Sequence, residues 1–83
     1  MKPLLIGRSA RTDLANIKHH TENNWSDLQR DAYMALLQEK FAMVQRFPAS
    51  GARRDFLLPG LRSIPAGAHI IYYRETEADI RIL

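Results

Sequence analysis

The chain has no cysteine among its 83 residues, which excludes disulfide bonds and zinc sites built on thiolates. It also has no long apolar run near its start, where Pro3–Ile6 is the longest. A signal peptide needs an apolar core of about 7–15 residues and a membrane-spanning helix needs about 20. A small domain without disulfides fits a reducing compartment, so we expect a cytoplasmic protein that makes no contact with a membrane.

Recognisable cofactor and nucleophile motifs are also missing. The four glycines stand at predicted turns, in no pattern that binds a nucleotide phosphate, and no serine lies in a Gly-x-Ser-x-Gly motif. His19 and His20 are adjacent, so on a helix their side chains point about 100° apart and cannot chelate one metal ion as an i, i+4 pair can. We therefore predict neither a cofactor nor a metal site.

Lysine is absent after Lys40, whereas arginine continues to the end of the chain. Between Gly51 and Arg74 one acid, Asp55, stands among four arginines, which are Arg53, Arg54, Arg62 and Arg74. The guanidinium group binds carboxylates and phosphates through paired hydrogen bonds. This stretch therefore favours an acidic partner, either a protein segment or a nucleic acid, over a solvated surface that binds nothing.

Two helices are predicted in the first half. Ser9 is the expected N-cap of the first helix, whose apolar face is formed by Ala10, Leu14, Ile17, Thr21 and Trp25. Trp25 is interpreted as a cap on the core rather than as a base-stacking platform. Ser26 and Gln29 form a capping box for the second helix, which ends before Pro48. Its predicted apolar stripe consists of Leu28, Ala32, Tyr33, Leu36, Leu37, Phe41, Val44 and Phe47.

Strands are predicted at both ends of the chain. Lys2–Ile6 is a predicted strand that lies at an edge or begins after Pro3, because proline cannot donate to a ladder, and residues 49–60 form a connector. Period-two alternation then predicts strands over 61–65, 68–75 and 79–83, with the middle one covered at least partly on each face. Residues 1–83 thus form one α+β domain of order β-α-α-β-β-β, a helical hairpin packed on one face of a small, mostly antiparallel sheet.

Metal-free RNA cleavage is the one catalytic chemistry that the composition could support. It requires a base, an acid and a cation beside the developing phosphorane. Residue types suited to these roles lie on neighbouring predicted strands, namely Arg62, His69, Tyr72 or Tyr73, and Arg74. Alternation alone also explains each of these positions, with the tyrosines in the core and the arginines at the rim. We favour this second interpretation, and with it a protein that is not an enzyme.

The order of these motifs resembles the ParE-type toxins. Ser9–Ile17 holds the small residues and the Asp-Leu-x-x-Ile pattern of that family's first helix, and Trp25 is the aromatic residue before its tight turn. The later matching segments follow in order and are Pro48, Arg53–Asp55, Pro59–Ser63, His69–Arg74 and Ile80–Leu83. The resemblance covers essentially the whole chain.

This resemblance implies a toxin of a type II toxin–antitoxin module in the RelE/ParE superfamily. Such toxins are neutralised by a ParD-like antitoxin, whose acidic C-terminal segment folds on the toxin, so a hetero-oligomer is expected. ParE-like members act on DNA gyrase and RelE-like members cut messenger RNA on the ribosome. The absence of lysine after Lys40 favours gyrase over the endonuclease alternative, without direct sequence-specific contact to nucleic acid.

The antitoxin site is assigned from residue type and position. An apolar groove with a cationic border is expected between the helical hairpin and the sheet rim, where an acidic amphipathic segment would bind. The residues assigned to it are Arg53, Arg54, Arg62, Tyr73, Arg74 and Arg81. Members of the family usually continue past the last strand with a basic tail that is associated with toxicity. Because the sequence ends at Leu83, a shortened, non-toxic relic that binds antitoxin is a third alternative.

Overall fold

The computed structural model describes the backbone of residues 1–24 and 26–83 and the side chains of residues 1–19 and 26–83. The elements in chain order are β1 (Leu4–Ile6), α1 (Arg8–Asn24), α2 (Asp27–Arg46), a 3₁₀ turn (Pro48–Ser50), β2 (Ala52–Arg53), β3 (Leu61–Ala66), β4 (His69–Glu75) and β5 (Ile80–Ile82). The predicted α+β class is confirmed, with a helical hairpin packed on a mostly antiparallel sheet.

The start of α2 follows the sequence prediction and the start of α1 does not. The Ser26 hydroxyl accepts from the Gln29 N–H at 3.2 Å, and the Gln29 side chain accepts from the Ser26 N–H at 3.1 Å. In α1 the Gly7 carbonyl accepts from the Arg11 N–H at 2.9 Å, so the helix begins at Arg8 and the predicted Ser9 N-cap is wrong. The predictions for His20, Thr21 and Trp25 lie outside the residues whose side chains are described.

The apolar stripe of α2 is buried only in part. Leu37, Phe41 and Val44 are buried, whereas Leu28 is 80% exposed and Phe47 is 57% exposed. A 20-residue helix is about 30 Å long and a seven-residue strand about 23 Å, so α2 is longer than β4, the longest strand. The predicted stripe is therefore wrong at its two ends.

The sheet has the order β1-β5-β4-β3-β2. β1 is an edge strand that begins after Pro3, as predicted, and it pairs in parallel with β5, while the other pairs are antiparallel. The Pro3 carbonyl accepts from the Ile80 N–H at 2.9 Å and so starts this parallel ladder. The 3₁₀ turn and the short edge strand β2 lie in the segment that was predicted as a connector.

One core fills the space between the helices and the sheet. Its buried members are Ala10, Leu37, Phe41, Val44, Ile64, Ala66, Ile71, Tyr73, Ile80 and Ile82. The helices cover one face of β4, and on its other face Tyr72 and Arg74 are half-buried whereas Ile70 is 59% exposed, so the predicted partial cover of that face fails at Ile70. Within the described residues, neither helix is long and apolar enough to cross a membrane.

An arginine row on the open face of the sheet

Strand alternation divides the side chains of the sheet between two faces. The helix-side face carries the core residues of β3, β4 and β5, such as Ile71 and Tyr73. In the part of the chain that the structure describes, neither helix packs on the opposite face, and we call it the open face. Directly opposed residues of neighbouring strands share a face. The strand register therefore assigns each predicted site residue to one face or the other.

Three arginines lie in one row across the open face. Arg74 of β4 is opposite Leu61 of β3 on one side and opposite Arg81 of β5 on the other. Arg81 is in turn opposite Leu5 of β1. Arg54 follows β2 directly, and its N–H donates to the Leu61 carbonyl at 2.7 Å. Arg54 is therefore paired with Leu61 and extends the row to the β2 edge of the sheet. We call Arg54, Arg74 and Arg81 the arginine row.

The row brings two like charges together. Directly opposed side chains have Cβ atoms about 4.5–5.5 Å apart, and like charges at that separation repel. Arg74 and Arg81 are such a pair. Asp79 reduces the repulsion, because Arg81 Nε donates to its Oδ1 at 3.0 Å. The Thr76 hydroxyl donates to the same oxygen at 2.7 Å, and these two bonds, that from Thr76 first, hold the pKa of Asp79 below its ordinary value.

Apolar side chains lie beside the arginine row. Leu83 donates its N–H to the Tyr72 carbonyl at 2.9 Å, so it extends β5 and lies beside Tyr72 on the open face. Leu5 and Leu83 are both about half exposed. A groove of about 470 Å³ is lined by these two leucines together with Arg81 and Arg11. The open face thus combines an apolar surface with guanidinium groups.

The other two arginines that the sequence assigned to the antitoxin site are on the helix-side face of the sheet. Arg53 and Arg62 oppose each other and share the face of Tyr73. Arg62 Nη1 donates to the Gly51 carbonyl at 3.0 Å, and Arg53 Nε donates to Asp55 Oδ2 at 2.8 Å. Both side chains are therefore engaged at the β2–β3 edge rather than aligned with the arginine row.

Tyr73 is fully buried, with 0% of its surface exposed. Its hydroxyl donates to the Pro48 carbonyl at 2.7 Å and accepts from the Gly51 N–H at 2.8 Å. A Cβ at Gly51 would lie 2.5 Å from that hydroxyl, so only glycine leaves room for it. Tyr73 joins the end of α2 to the sheet and has no surface with which to contact an antitoxin. Its burial therefore removes Tyr73 from the assigned binding residues.

The residues suggested for RNA cleavage are divided between the two faces. Tyr72 and Arg74 are on the open face, whereas Arg62 and His69 are on the helix-side face. The imidazole of His69 is hydrogen-bonded through Nδ1 to the Tyr33 hydroxyl, and the two ring centroids lie 5.7 Å apart. An acid, a base and a cation must surround one phosphate. These four side chains do not surround a common point.

The expected groove between hairpin and sheet is small and lacks an arginine border. A cleft of about 90 Å³ is lined by residues of α1, α2, β4 and β5, among them Leu14, Ile17 and Phe41. The charged residue in its lining is Asp13. Within the described residues no arginine lines this cleft, so the arginine row does not border it. Among the side chains that the structure describes, no three metal-ligating residues cluster.

Sequence reasoning did not assign to the site three residues that line the groove beside Arg81, which are Leu5, Arg11 and Leu83. Leu5 differs from its neighbours Leu4 and Ile6 only by alternation, and its place beside Arg81 depends on the parallel pairing of β1 with β5. Arg11 Nε donates to the Ile6 carbonyl at 2.9 Å, which holds the α1 side chain against β1. The period-two pattern of the first strand could have indicated Leu5, and that of the last strand places Leu83 on the face of Arg81, but no local signal brings Arg11 of α1 to this groove.

The fold and the open face define a small α+β domain with one covered and one accessible sheet face. The family model described as ParE toxin of type II toxin-antitoxin system, parDE, matches residues 4–83. The chain therefore belongs to the ParE toxin family of type II toxin–antitoxin systems.

Individual relatives agree with this membership. The chain is 32% identical to Toxin ParE1 of Caulobacter vibrioides over 74 residues, which cover 89% of this chain and 77% of that protein. It is 31% identical to Toxin ParE1 of Mycobacterium tuberculosis over 72 residues, covering 87% and 74% respectively. A chain in the solved structure of the chromosomal ParDE TA system from P. aeruginosa superposes with a TM-score of 0.80 at 24% identity, covering 100% of this chain and 91% of that one. This last likeness concerns the fold.

Proposed function

We propose that this protein is the toxin of a type II toxin–antitoxin pair, and that an acidic antitoxin segment neutralises it by binding along the open face. Family membership supports the general role, and the solved structural relative is part of a ParDE system. We further propose that the toxin acts in the cytoplasm by binding and inhibiting DNA gyrase.

One observation carries the proposal for the binding face, namely that Arg74 and Arg81 are directly opposed on an uncovered sheet surface. Such a pair is unfavourable in the free protein and becomes favourable when carboxylates of a partner lie between the two guanidinium groups. The exposed apolar surface beside the pair supplies area for the apolar side of an amphipathic segment. An acidic segment that orders on binding needs both contributions to offset its loss of conformational entropy.

The contacts of the other assigned arginines decide their place in the proposal. Arg54 belongs to the binding face because its Nε donates to the Ser63 hydroxyl at 3.0 Å, which keeps the guanidinium on the open side. Arg53 and Arg62 border the face at the β2–β3 edge, where an extended partner would end. Tyr73 is not included because it is buried.

Gyrase is proposed as the target in preference to messenger RNA. The division of Arg62, His69, Tyr72 and Arg74 between two sheet faces supports binding over catalysis. The resemblance to the ParE branch supports gyrase as the protein that is bound. We do not propose RNA cleavage, because no observation brings its required groups together.

The test combines cell growth with a purified assay. Tightly induced expression is expected to arrest bacterial growth with chromosome damage while translation continues, and the purified chain is expected to inhibit supercoiling by DNA gyrase. Adding the partner antitoxin should restore both. Prompt loss of translation would instead indicate a ribosome-dependent nuclease. Normal growth with intact antitoxin binding would indicate a non-toxic relic, and absence of any antitoxin binding would contradict the whole proposal.

A further inference from the structure

Three consecutive apolar side chains project from the loop that joins β2 to β3. Phe56 is 79% exposed and Leu57 is 58% exposed, and Leu58 follows at 39%. We call these three residues the apolar tip. Leaving large apolar side chains in water is unfavourable, and clustered exposed apolar residues commonly mark sites of interaction.

The tip is held in place by hydrogen bonds within its loop. The Leu57 N–H donates to the Arg54 carbonyl at 2.9 Å, and the Leu61 N–H donates to the Leu58 carbonyl at 3.0 Å. Gly60, at φ 79°, adopts a left-handed conformation that favours glycine, and its N–H donates to Asp55 Oδ1 at 3.0 Å. A loop fixed in this way loses little conformational entropy on binding, which favours tight association.

The surroundings of the tip are cationic. Both oxygens of Asp55 are engaged, one by Gly60 and the other by Arg53 Nε at 2.8 Å, and these bonds lower the pKa of Asp55. A Cβ at Gly60 would lie 3.5 Å from Cδ of Arg74, so the Arg74 side chain passes beside the base of the loop. Exposed aromatic and arginine side chains together form the usual anchors of protein interfaces.

The shape of the tip distinguishes it from the open face. A segment that folds on binding brings its own apolar side chains and needs a groove or a flat surface to receive them. A rigid apolar projection instead requires a pocket that already exists on a folded partner. The tip follows Arg54 at the β2 end of the arginine row, whereas the groove lined by Leu5, Leu83 and Arg81 lies toward the opposite edge of the sheet, where β1 is four strand spacings or about 19 Å from β2.

We propose that the apolar tip inserts into an apolar pocket rimmed by carboxylates on the folded target of the toxin, DNA gyrase, and is not an antitoxin contact. This inference rests on the proposed function above. A lipid surface is the less favoured occupant, because three apolar side chains bury little surface in a bilayer and Asp55 neutralises part of the cationic charge beside them.

The experiment compares two double variants with the same chemical changes. Phe56→Ser with Leu57→Ser removes the tip, whereas Phe47→Ser with Leu28→Ser removes an exposed phenylalanine and an exposed leucine elsewhere. All four side chains are more than half exposed, so both variants are expected to keep the circular dichroism spectrum and urea midpoint of the wild type. Affinities for purified DNA gyrase and for the antitoxin are then measured by calorimetry.

The tip variant is expected to bind gyrase at least about thirtyfold more weakly, the factor that corresponds to losing one hot-spot side chain. Its affinity for the antitoxin, and both affinities of the control variant, should stay within about twofold of wild type, as substitutions outside a hot spot leave binding nearly unchanged. Growth arrest on expression should weaken in parallel with gyrase affinity.

Each other outcome contradicts the inference in a different way. Equal binding of gyrase by the wild type and the tip variant would overturn it while leaving the proposed function intact. An equal loss of antitoxin affinity would assign the tip to the antitoxin site. Wild-type binding to vesicles of phosphatidylglycerol and phosphatidylethanolamine, lost in the tip variant, would assign it to a membrane. A wild-type chain that binds no gyrase would overturn the proposed function, and this inference with it.

Discussion

The two faces of β4 carry the same residue types and have opposite surroundings. Ile71 and Tyr73 are buried against the helices, whereas Ile70 and Tyr72 lie on the open face. Residue type therefore does not decide which face is covered, because an Ile-Ile-Tyr-Tyr run supplies one isoleucine and one tyrosine to each. The position of the helical hairpin decides it, and an uncovered face with core-like side chains is available to a partner.

The largest expected difference between the faces concerns the adjacent isoleucines. Ile71→Ala should lower the free energy of unfolding by about 2–5 kcal/mol, because it leaves a cavity in the core between the helices and the sheet. Ile70→Ala should lower it by about 1 kcal/mol or less, since this side chain is already mostly in water. Urea unfolding of the two variants measures both values. Equal losses would mean that the open face is covered in the free protein.

The adjacent tyrosines provide a second comparison of smaller size. Tyr73→Phe should lower the free energy of unfolding by about 1–3 kcal/mol, because the Pro48 carbonyl and the Gly51 N–H both lose a buried partner. Tyr72→Phe should change it by about 0.5 kcal/mol or less, as is usual for surface positions. Thermal and urea unfolding give the two values. A large loss at Tyr72 would contradict the assignment of this residue to the open face.

The third comparison tests binding rather than stability. Arg74→Ala should weaken antitoxin binding about tenfold, since one charge-assisted hydrogen bond contributes roughly 1.5 kcal/mol. Arg46→Ala removes the same charge from the exposed C-terminal end of α2 and should weaken binding about twofold or less, through long-range attraction alone. Calorimetry at two salt concentrations separates these effects. Equal losses would show that net charge, rather than the arginine row, attracts the antitoxin.

Local signals in the sequence predicted most of the fold. The capping box at Ser26 and the alternation after Leu61 depend on neighbouring residues alone, and both predictions are confirmed. The predicted Ser9 N-cap is wrong because the helix starts earlier. The carbonyl of Gly7, a residue without a capping side chain, accepts a helical hydrogen bond from the Arg11 N–H. The strand β2 was missed because two residues are too few to show a period, and pairing with β3 defines it.

The candidate site was less predictable because it depends on register. The sequence indicates that arginines accumulate after Gly51, but it does not indicate that Arg74 opposes Arg81 or that Arg62 lies on the other face. A register shift of one residue would exchange the faces of a whole strand. Tyr73 illustrates the same point, since only the closeness of Gly51 and Pro48 shows that its hydroxyl is used inside the protein.

The smallest expected effect concerns the acid that partly neutralises the arginine row. Because the pKa of Asp79 is lowered in the folded chain, its carboxylate stabilises the fold at pH values above its ordinary pKa of 3.8, and this contribution is lost as the pH falls through the lower folded value. Asp79→Asn keeps an acceptor for Thr76 but removes the charge that faces Arg81. The variant should therefore be less stable than the wild type at pH 7, with a difference that shrinks as the pH falls below about 4.

Urea midpoints measured between pH 7 and pH 2 test this expectation, with Asp31→Asn as the control. Asp31 also pairs with an arginine, but its side chain is mostly exposed, so its removal should change the midpoint little at any pH. A difference between wild type and Asp79→Asn that stays constant across this range would mean that the carboxylate acts through its shape rather than its charge. In that case the charge of Asp79 would not reduce the repulsion between Arg74 and Arg81 in the free protein, and only the carboxylates of a bound partner would reduce it.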